Sequence, residues 1–563
     1  MEKFKMNQKY FKIMMLCLFY LLVSVLMYLS YKRNFVWNGD DIYYQFQRLM
    51  GLSNNYQGGL LFSNISTTNF GNIGYGVNIF YPWLTLLPFY FLFHLTGNWI
   101  SAYYLGLLFF FFISLLISHY AMKKFSGSTK LALLFAMVYN FSNYRLIELF
   151  TRASLAEYIA TIFLPLCFLG FYELFFGDGK QWKILAIGMS LIIFTHVLST
   201  FLCIIMFVLI MVIFVVKLKF SKQRLFNLLK AVVSTILMTL IFTVPFISEE
   251  LFQKYGVPDR QILQGQDLGK LLYSSLINDT HRLVENNAYN IGLILLIAMV
   301  LGIIVFKKFS GVLKATYLLF IGTFLLSTSL FPWKIFQNTS IEVIQFPYRL
   351  LMFTTLFGSV VMTYILAIIL KAGLEKYFIA ILGVVTVITG GLWLTTIDLT
   401  AKTSLVSSAK LVIDQKRINE GNIPDTYLAQ YVPVTGQKEL DSVVQHQVFL
   451  NGKVSNQAPL PVDKGSNFTF TDIKKGDKLD LPFVRYKYTK ASLNGKSVPI
   501  TLSKRGSVMI KAPKDYDRLT IHLTYGNRKL FGFAMIVTII SWFIILFGTP
   551  VEKYFYSLRS RFG

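Results

Sequence analysis

Twelve apolar runs, many at or beyond the ~20 residues a helix needs to cross a bilayer, limit what this chain can fold into more than any other feature. They lie at 12–31, 99–121, 130–147, 155–176, 183–198, 199–216, 229–247, 289–306, 314–331, 349–370, 377–396 and 530–548. Hydrocarbon satisfies no backbone N–H or C=O group, so a spanning segment is a helix or part of a closed barrel. These runs lack the alternation of barrel strands, and the helical solution applies. Composition agrees: 55% of the residues are hydrophobic and 15% charged, where a soluble chain carries about 25% charge.

Basic residues give the orientation, because Lys and Arg concentrate in cytoplasmic loops. Lys3, Lys5, Lys9 and Lys12 precede the first run, and Lys123, Lys124 and Lys130 separate the second and third. Lys180 and Lys183 separate the fourth and fifth, and Lys217, Lys219, Lys222, Arg224 and Lys230 follow the sixth. Lys307, Lys308 and Lys314 follow the eighth, Lys371 and Lys376 the tenth, and Lys553, Arg559 and Arg561 close the chain. One register fits all twelve, with both termini inside a bacterial cell membrane. It requires that 79–96, interrupted by Pro82 and Pro88, be an interfacial or re-entrant segment of the first outer loop, 32–98. The formal charge of +26 is then membrane topology. Without a basic stripe interleaved with stacking aromatics, no nucleic-acid partner is expected. Cys17, Cys167 and Cys203 all fall in apolar runs, so no disulfide framework or zinc site is implied. The basic start and apolar run of the N-terminus lack a small-residue cleavage site and read as a retained helix.

Between the last two runs the composition changes. Alternating stretches such as Phe483-Val484-Arg485-Tyr486-Lys487-Tyr488, with turns at Asn494-Gly495 and Gly476-Asp477, predict a β-rich outer domain over 397–528. The expected organisation is a transmembrane domain over 1–396, that β domain, and a final helix with a cytoplasmic tail over 529–563.

Chemistry-bearing residues cluster at the outer ends of the runs. The first outer loop begins Trp37-Asn38-Gly39-Asp40-Asp41, and Arg48 follows two helical turns after Asp41. A carboxylate there is a general base or metal ligand, or else a helix cap. The cap reading suits Asp40 better than Asp41. Glu157 falls at the start of a span, where a carboxylate is costly unless it faces a cavity or a partner such as Arg152. Glu148 reads equally as an exposed loop charge. His196, at the tip of the 183–216 hairpin, is a hydrogen-bonded structural residue or a ligand. Glu249 and Glu250 read mainly as loop charges. In Gln345-Phe346-Pro347-Tyr348-Arg349, Arg349 snorkels to headgroups or grips a phosphate with its fork. No phosphate-binding glycine loop, GxSxG elbow, HExxH helix or Cys/His cluster is present. No residue is assigned to a metal, and a divalent ion is left open.

Taken in order, Asp41 through Arg48, Gly74-Tyr75-Gly76 with Phe80-Tyr81-Pro82, Arg152 with Ser154, Leu155 and Glu157, Thr195-His196, and Gln345 through Arg349 resemble the GT-C superfamily of polytopic glycosyltransferases. Within it the pattern is most similar to bacterial membrane proteins labelled 6-pyruvoyl-tetrahydropterin synthase-related. Where that pattern often has a His after the first-loop acid, this chain has Tyr43-Tyr44-Gln45. The resemblance implies an all-α GT-C-like membrane fold of about twelve helices plus the extracytoplasmic β-rich domain. It also implies transfer of a sugar from a polyprenyl-phosphate donor to a cell-envelope polymer outside the bilayer. Asp41, with Asp40 and Glu157, would then be catalytic, and Arg48, Arg152, Arg349, His196 and Gln345 would bind substrate or phosphate. A lipid-linked sugar transporter or flippase, and a non-catalytic envelope assembly protein, are the alternatives. Internal inverted repeats would favour the transporter, and none is evident.

Overall fold

The computed structural model describes residues 2–36, 39–54, 64–218, 220–258, 261–280, 289–371, 375–402, 412–455 and 467–562. Trp37, Asn38 and Lys219 lie outside them. Each apolar run is a helix: α1 Glu2–Tyr31, α2 Trp99–Ser126, α3 Thr129–Asn140, α4 Leu155–Phe175, α5 Trp182–Ile193, α6 Val197–Ile213, α7 Lys222–Glu250, α8 Gly292–Val305, α9 Gly311–Leu326, α10 Leu351–Ile369, α11 Phe378–Lys402 and α12 Arg528–Phe562. Seven helices among the described residues are long and apolar enough to cross a membrane. The chain is a multi-pass helical membrane protein with a β-rich C-terminal region.

Several helices are shorter than the runs suggested. Helix α3 has 12 residues, or ~18 Å at 1.5 Å per residue, against ~30 Å of hydrocarbon. It stops at Asn140, whose side chain donates to Ser118 and to the Ala136 carbonyl, so residues 141–147 leave the expected span. The segment 79–96 is broken into short pieces, of which Leu87–Thr96 is the longest.

The chain divides into two compact units, residues 1–42, 87–231 and 260–422, and residues 43–86, 232–259 and 423–563. In the first, local chemistry sets the turns. Gly127 ends α2 in the left-handed region at φ 71, and the next residue, Ser128, caps α3 by accepting from Leu131 N. Helices α4 and α5 pack with backbones nearly touching: a Cβ on Gly170 would sit 2.4 Å from Leu185 N. Pro165 inside α4 lacks an N–H and frees the Thr161 carbonyl, which accepts the Tyr139 hydroxyl at 2.6 Å. The fully buried Arg145 joins α2, α3 and α4 through Ser114, Asn140 and Thr161.

The second unit holds two antiparallel sheets. After β1 Phe35–Val36 and β2 Ile413–Asp414, which pair antiparallel in the first unit, the strands of these sheets are β3 Phe449–Leu450, β4 Lys453–Val454, β5 Asn467–Ile473, β6 Lys478–Val484, β7 Thr489–Leu493, β8 Lys496–Val498, β9 Thr501–Leu502, β10 Ser507–Lys511 and β11 Tyr516–Tyr525. The orders are β4-β3-β6-β10-β9 and β5-β11-β7-β8. Alternate residues Phe468 and Phe470 of β5, and Leu519, Ile521 and Leu523 of β11, enter one core, as period-2 side chains do. Asn494-Gly495, both at positive φ, make the β7–β8 turn.

That core is not closed by 397–528 alone. Ile73, Tyr75, Val77, Ile79 and Phe80, which precede α2, belong to it. Val484 N donates to the Ile73 carbonyl, and Gly76 N donates to the Tyr486 hydroxyl. Glu249, fully buried, accepts from Tyr255, Tyr525 and Lys487 N, which makes it an anchor for this unit and not a loop charge. A 397–528 fragment expressed alone is therefore expected to expose the faces of Phe483 and Tyr486 and to digest rapidly. Limited proteolysis beside the full-length protein measures this, and a protease-resistant fragment would refute it.

Candidate functional site

The first unit gathers most of the sequence-predicted residues at the starts of α4 and α10. After α3 the chain makes a helical turn, Asn143–Leu146, then a π turn, Ile147–Thr151. Such turns recur at functional sites. Arg152 N closes this one on the Ile147 carbonyl at 2.9 Å, and Ser154 N returns to the Glu148 carbonyl at 3.0 Å. Ala153 follows at φ 54, a left-handed conformation uncommon for a residue with a Cβ. Arg152 thereby faces back onto Glu148 and forward onto Glu157 in the first turn of α4.

Arg152 Nη1 donates to Glu148 Oε2 at 3.0 Å and to Glu157 Oε2 at shorter range. Arg349 Nε also donates to Glu157 Oε2, at 3.3 Å. Two guanidinium groups thus converge on one carboxylate oxygen, while Tyr144 donates to the other. Arg349 is braced through Nη1 by the Ile344 carbonyl at 2.8 Å and Gln345 Oε1 at 2.7 Å. Pro347 starts the short helical turn that leads into α10. Tyr348 stacks on Tyr289 at 3.6 Å between ring centres, with Arg152 over the Tyr348 ring at 5.8 Å.

Asp41 completes the group. Its backbone N–H donates to the Arg152 carbonyl at 2.9 Å, and its Oδ2 lies 3.9 Å from Arg152 Nε. A Cβ on Gly39 would fall 2.6 Å from the Ala153 Cβ, so only glycine lets these two segments meet. The Asp41 side chain is 24% exposed, where Glu148 and Glu157 are at 0%. Asp41 is the most exposed carboxylate of this group.

Glu148 lies on the turn between α3 and α4. Burial first, and then the adjacent Glu157, push its carboxyl up to about 8, against the opposing pull of Arg152. At neutral pH it is protonated and adds no negative charge beside Arg152. Above pH 8 Glu148 ionises and competes for that guanidinium. Activity is therefore expected to fall through about pH 8, and Glu148→Gln to remove this alkaline limb. A pH–rate profile of both proteins decides it, and an unchanged limb in Glu148→Gln would count against the assignment.

The remaining sequence-predicted residues fall elsewhere or serve as supports. Asp40 sits half-buried on the turn before Asp41. His196 caps α6: its Nδ1 accepts from Ser199 N at 3.3 Å. Gln345 acts through Arg349. Arg48 belongs to the second unit, where it is 1% exposed, donates to Gln45 Oε1 and the Pro82 carbonyl, and lies 3.9 Å over the Tyr81 ring. Its periodicity relative to Asp41 was legible, but not the unit its side chain packs into. Sequence reasoning did not single out Tyr144, Tyr289 or Tyr348, which are buried at this cluster. No group of three or more His, Cys, Asp or Glu side chains is arranged to hold a metal ion among the described residues.

This chain is similar to a solved glycosyltransferase structure. That structure is the arabinofuranosyltransferase AftD from mycobacteria, with 14% identity and a TM-score of 0.42, covering 70% of this chain and 27% of that one. The chain thus spans about a quarter of that protein's length. No family model and no curated protein matches it.

Proposed function

We propose that this protein is a membrane glycosyltransferase of inverting type, taking a sugar from a polyprenyl-phosphate donor and passing it to a cell-envelope acceptor. The observation that carries this reading is the convergence of Arg152 and Arg349 on a single oxygen of Glu157, with the partly exposed Asp41 against the far side of Arg152. An oxygen anion already occupies the focus of two guanidinium forks, and a phosphate oxygen is the same kind of acceptor. The acceptor hydroxyl gives its proton to Asp41 while its oxygen bonds to the anomeric carbon. The bond from that carbon to the phosphate oxygen breaks with inversion, and the arginines stabilise the charge that collects on the departing lipid phosphate. Glu157 positions both arginines.

Arg349→Lys tests the phosphate grip, because a point charge does not replace a planar fork. Sugar transfer in membranes from a deletion strain carrying the variant is expected to drop ~10²–10³-fold, as when one stabilising donor is lost. Transfer at the parental rate, with equal protein present, would remove Arg349 from the reaction.

A further inference from the structure

Opposite the acid–arginine cluster, along the same helices, the first unit contains a cavity of about 340 Å³, within the range of small-molecule sites. Helices α2, α3, α4, α6, α9 and α10 line it, with Phe125, Phe168, Phe171 and Phe214 among its walls. Phe168 lies ~16 Å along α4 from Glu157 at 1.5 Å per residue, so this is a separate place on the helix. Of the lining residues only Tyr172, Lys217 and Thr316 carry polar side chains. Beside the lining residues Phe214 and Lys217 in sequence, Val212, Ile213, Val215 and Val216 are exposed, as side chains that face lipid are.

Basic residues outnumber acids at this end. Lys123 and Lys124 end α2, Lys217 follows α6, Lys307 and Lys308 precede α9, and Lys314 lies in its first turn. Glu173 and Asp178, at the end of α4, are the acids nearby in sequence. An apolar chamber with Lys217 on its wall, and further lysines at the ends of its lining helices, is complementary to a molecule with a hydrocarbon chain and an anionic head. We propose that the cavity binds an anionic phospholipid, one acyl chain among the phenylalanines and its phosphate at Lys217. The site is independent of the proposed transfer reaction.

The test uses full-length protein purified in neutral detergent and stripped of lipid, then offered phosphatidylglycerol or phosphatidylcholine of identical chains. Retained lipid is read by native mass spectrometry and thermal stability by a melting curve. Phosphatidylglycerol is expected to be retained and to raise the melting temperature more than phosphatidylcholine does. Lys217→Ala should weaken it about fivefold, from ~1 kcal/mol per lysine near an anionic surface. Ala315→Trp, which fills the chamber from α9, should abolish retention. Lys217→Ala, at an exposed position, keeps the test valid if the tryptophan variant fails to fold. Equal retention of the two lipids, protection by inorganic phosphate alone, undiminished binding in a folded Ala315→Trp protein, or complete displacement by a polyprenyl phosphate would each overturn the proposal.

Discussion

Asp41→Asn is expected to reduce sugar transfer ~10²–10⁴-fold, the usual cost of losing a general base, with the protein inserted at parental levels. Asparagine keeps the shape and the hydrogen-bonding oxygen but accepts no proton. The fold should not notice, because the contact that seats this residue is its backbone N–H on the Arg152 carbonyl, and the side chain is partly exposed. The loosely paired Asp41 carboxylate, 3.9 Å from Arg152 Nε, contributes little to stability at such separation and exposure. Complementation of a deletion strain, with envelope decoration and protein amount both measured, gives the answer. Parental decoration by Asp41→Asn would mean that the proton goes elsewhere, and transport of a lipid-linked sugar would become the better reading.

Gly170→Leu should be severely damaging to the helical unit. The new Cβ alone would lie 2.4 Å from Leu185 N and 2.6 Å from its Cα, and backbone cannot swing aside as a side-chain tip can. Close helix approach in membranes relies on such small residues. Overpacking typically costs 1–3 kcal/mol, and here α4 and α5 must separate bodily. Because α4 carries Glu157 in its first turn, the acid–arginine cluster should loosen along with the melting temperature. A melting curve in detergent unchanged from the parent would show that the helices do not meet as described.

Much of the helical layout was legible because burial in lipid permits so few solutions. All twelve runs became helices, and the tight hairpin at Thr195-His196 became the α5–α6 turn with His196 as its cap. Helix lengths were less legible: Ile147 is as apolar as any residue in α3, yet Asn140 and Ser142 bond locally and divert the chain. The cost of a carboxylate at a span pointed to Glu157 and its pairing with Arg152. Glu148 gave no such signal, since a loop acid is ordinarily solvated and only the π turn buries it. Tyr144, Tyr289 and Tyr348 were hidden in a chain with 32 tyrosines, most of which read as belt or packing residues. The share of residues 65–80 in the β core went unread although Ile73, Tyr75, Val77 and Ile79 alternate with Gly74, Gly76 and Asn78, because the segment folds largely as short helical turns at Phe70–Asn72 and Val77–Phe80 instead of a strand.

The join between the Asp41 and Arg152 segments runs from backbone to backbone, with Gly39 against Ala153. Replacing the Arg152 side chain should therefore leave Asp41 seated, so the proton acceptance and phosphate grip proposed for them are expected to be genetically separable. Insertions and deletions behave differently. One residue added between Gly39 and Asp41 slips the amide off its carbonyl and turns the carboxylate away, whatever residue is added. This stretch should therefore accept many spellings at a single length.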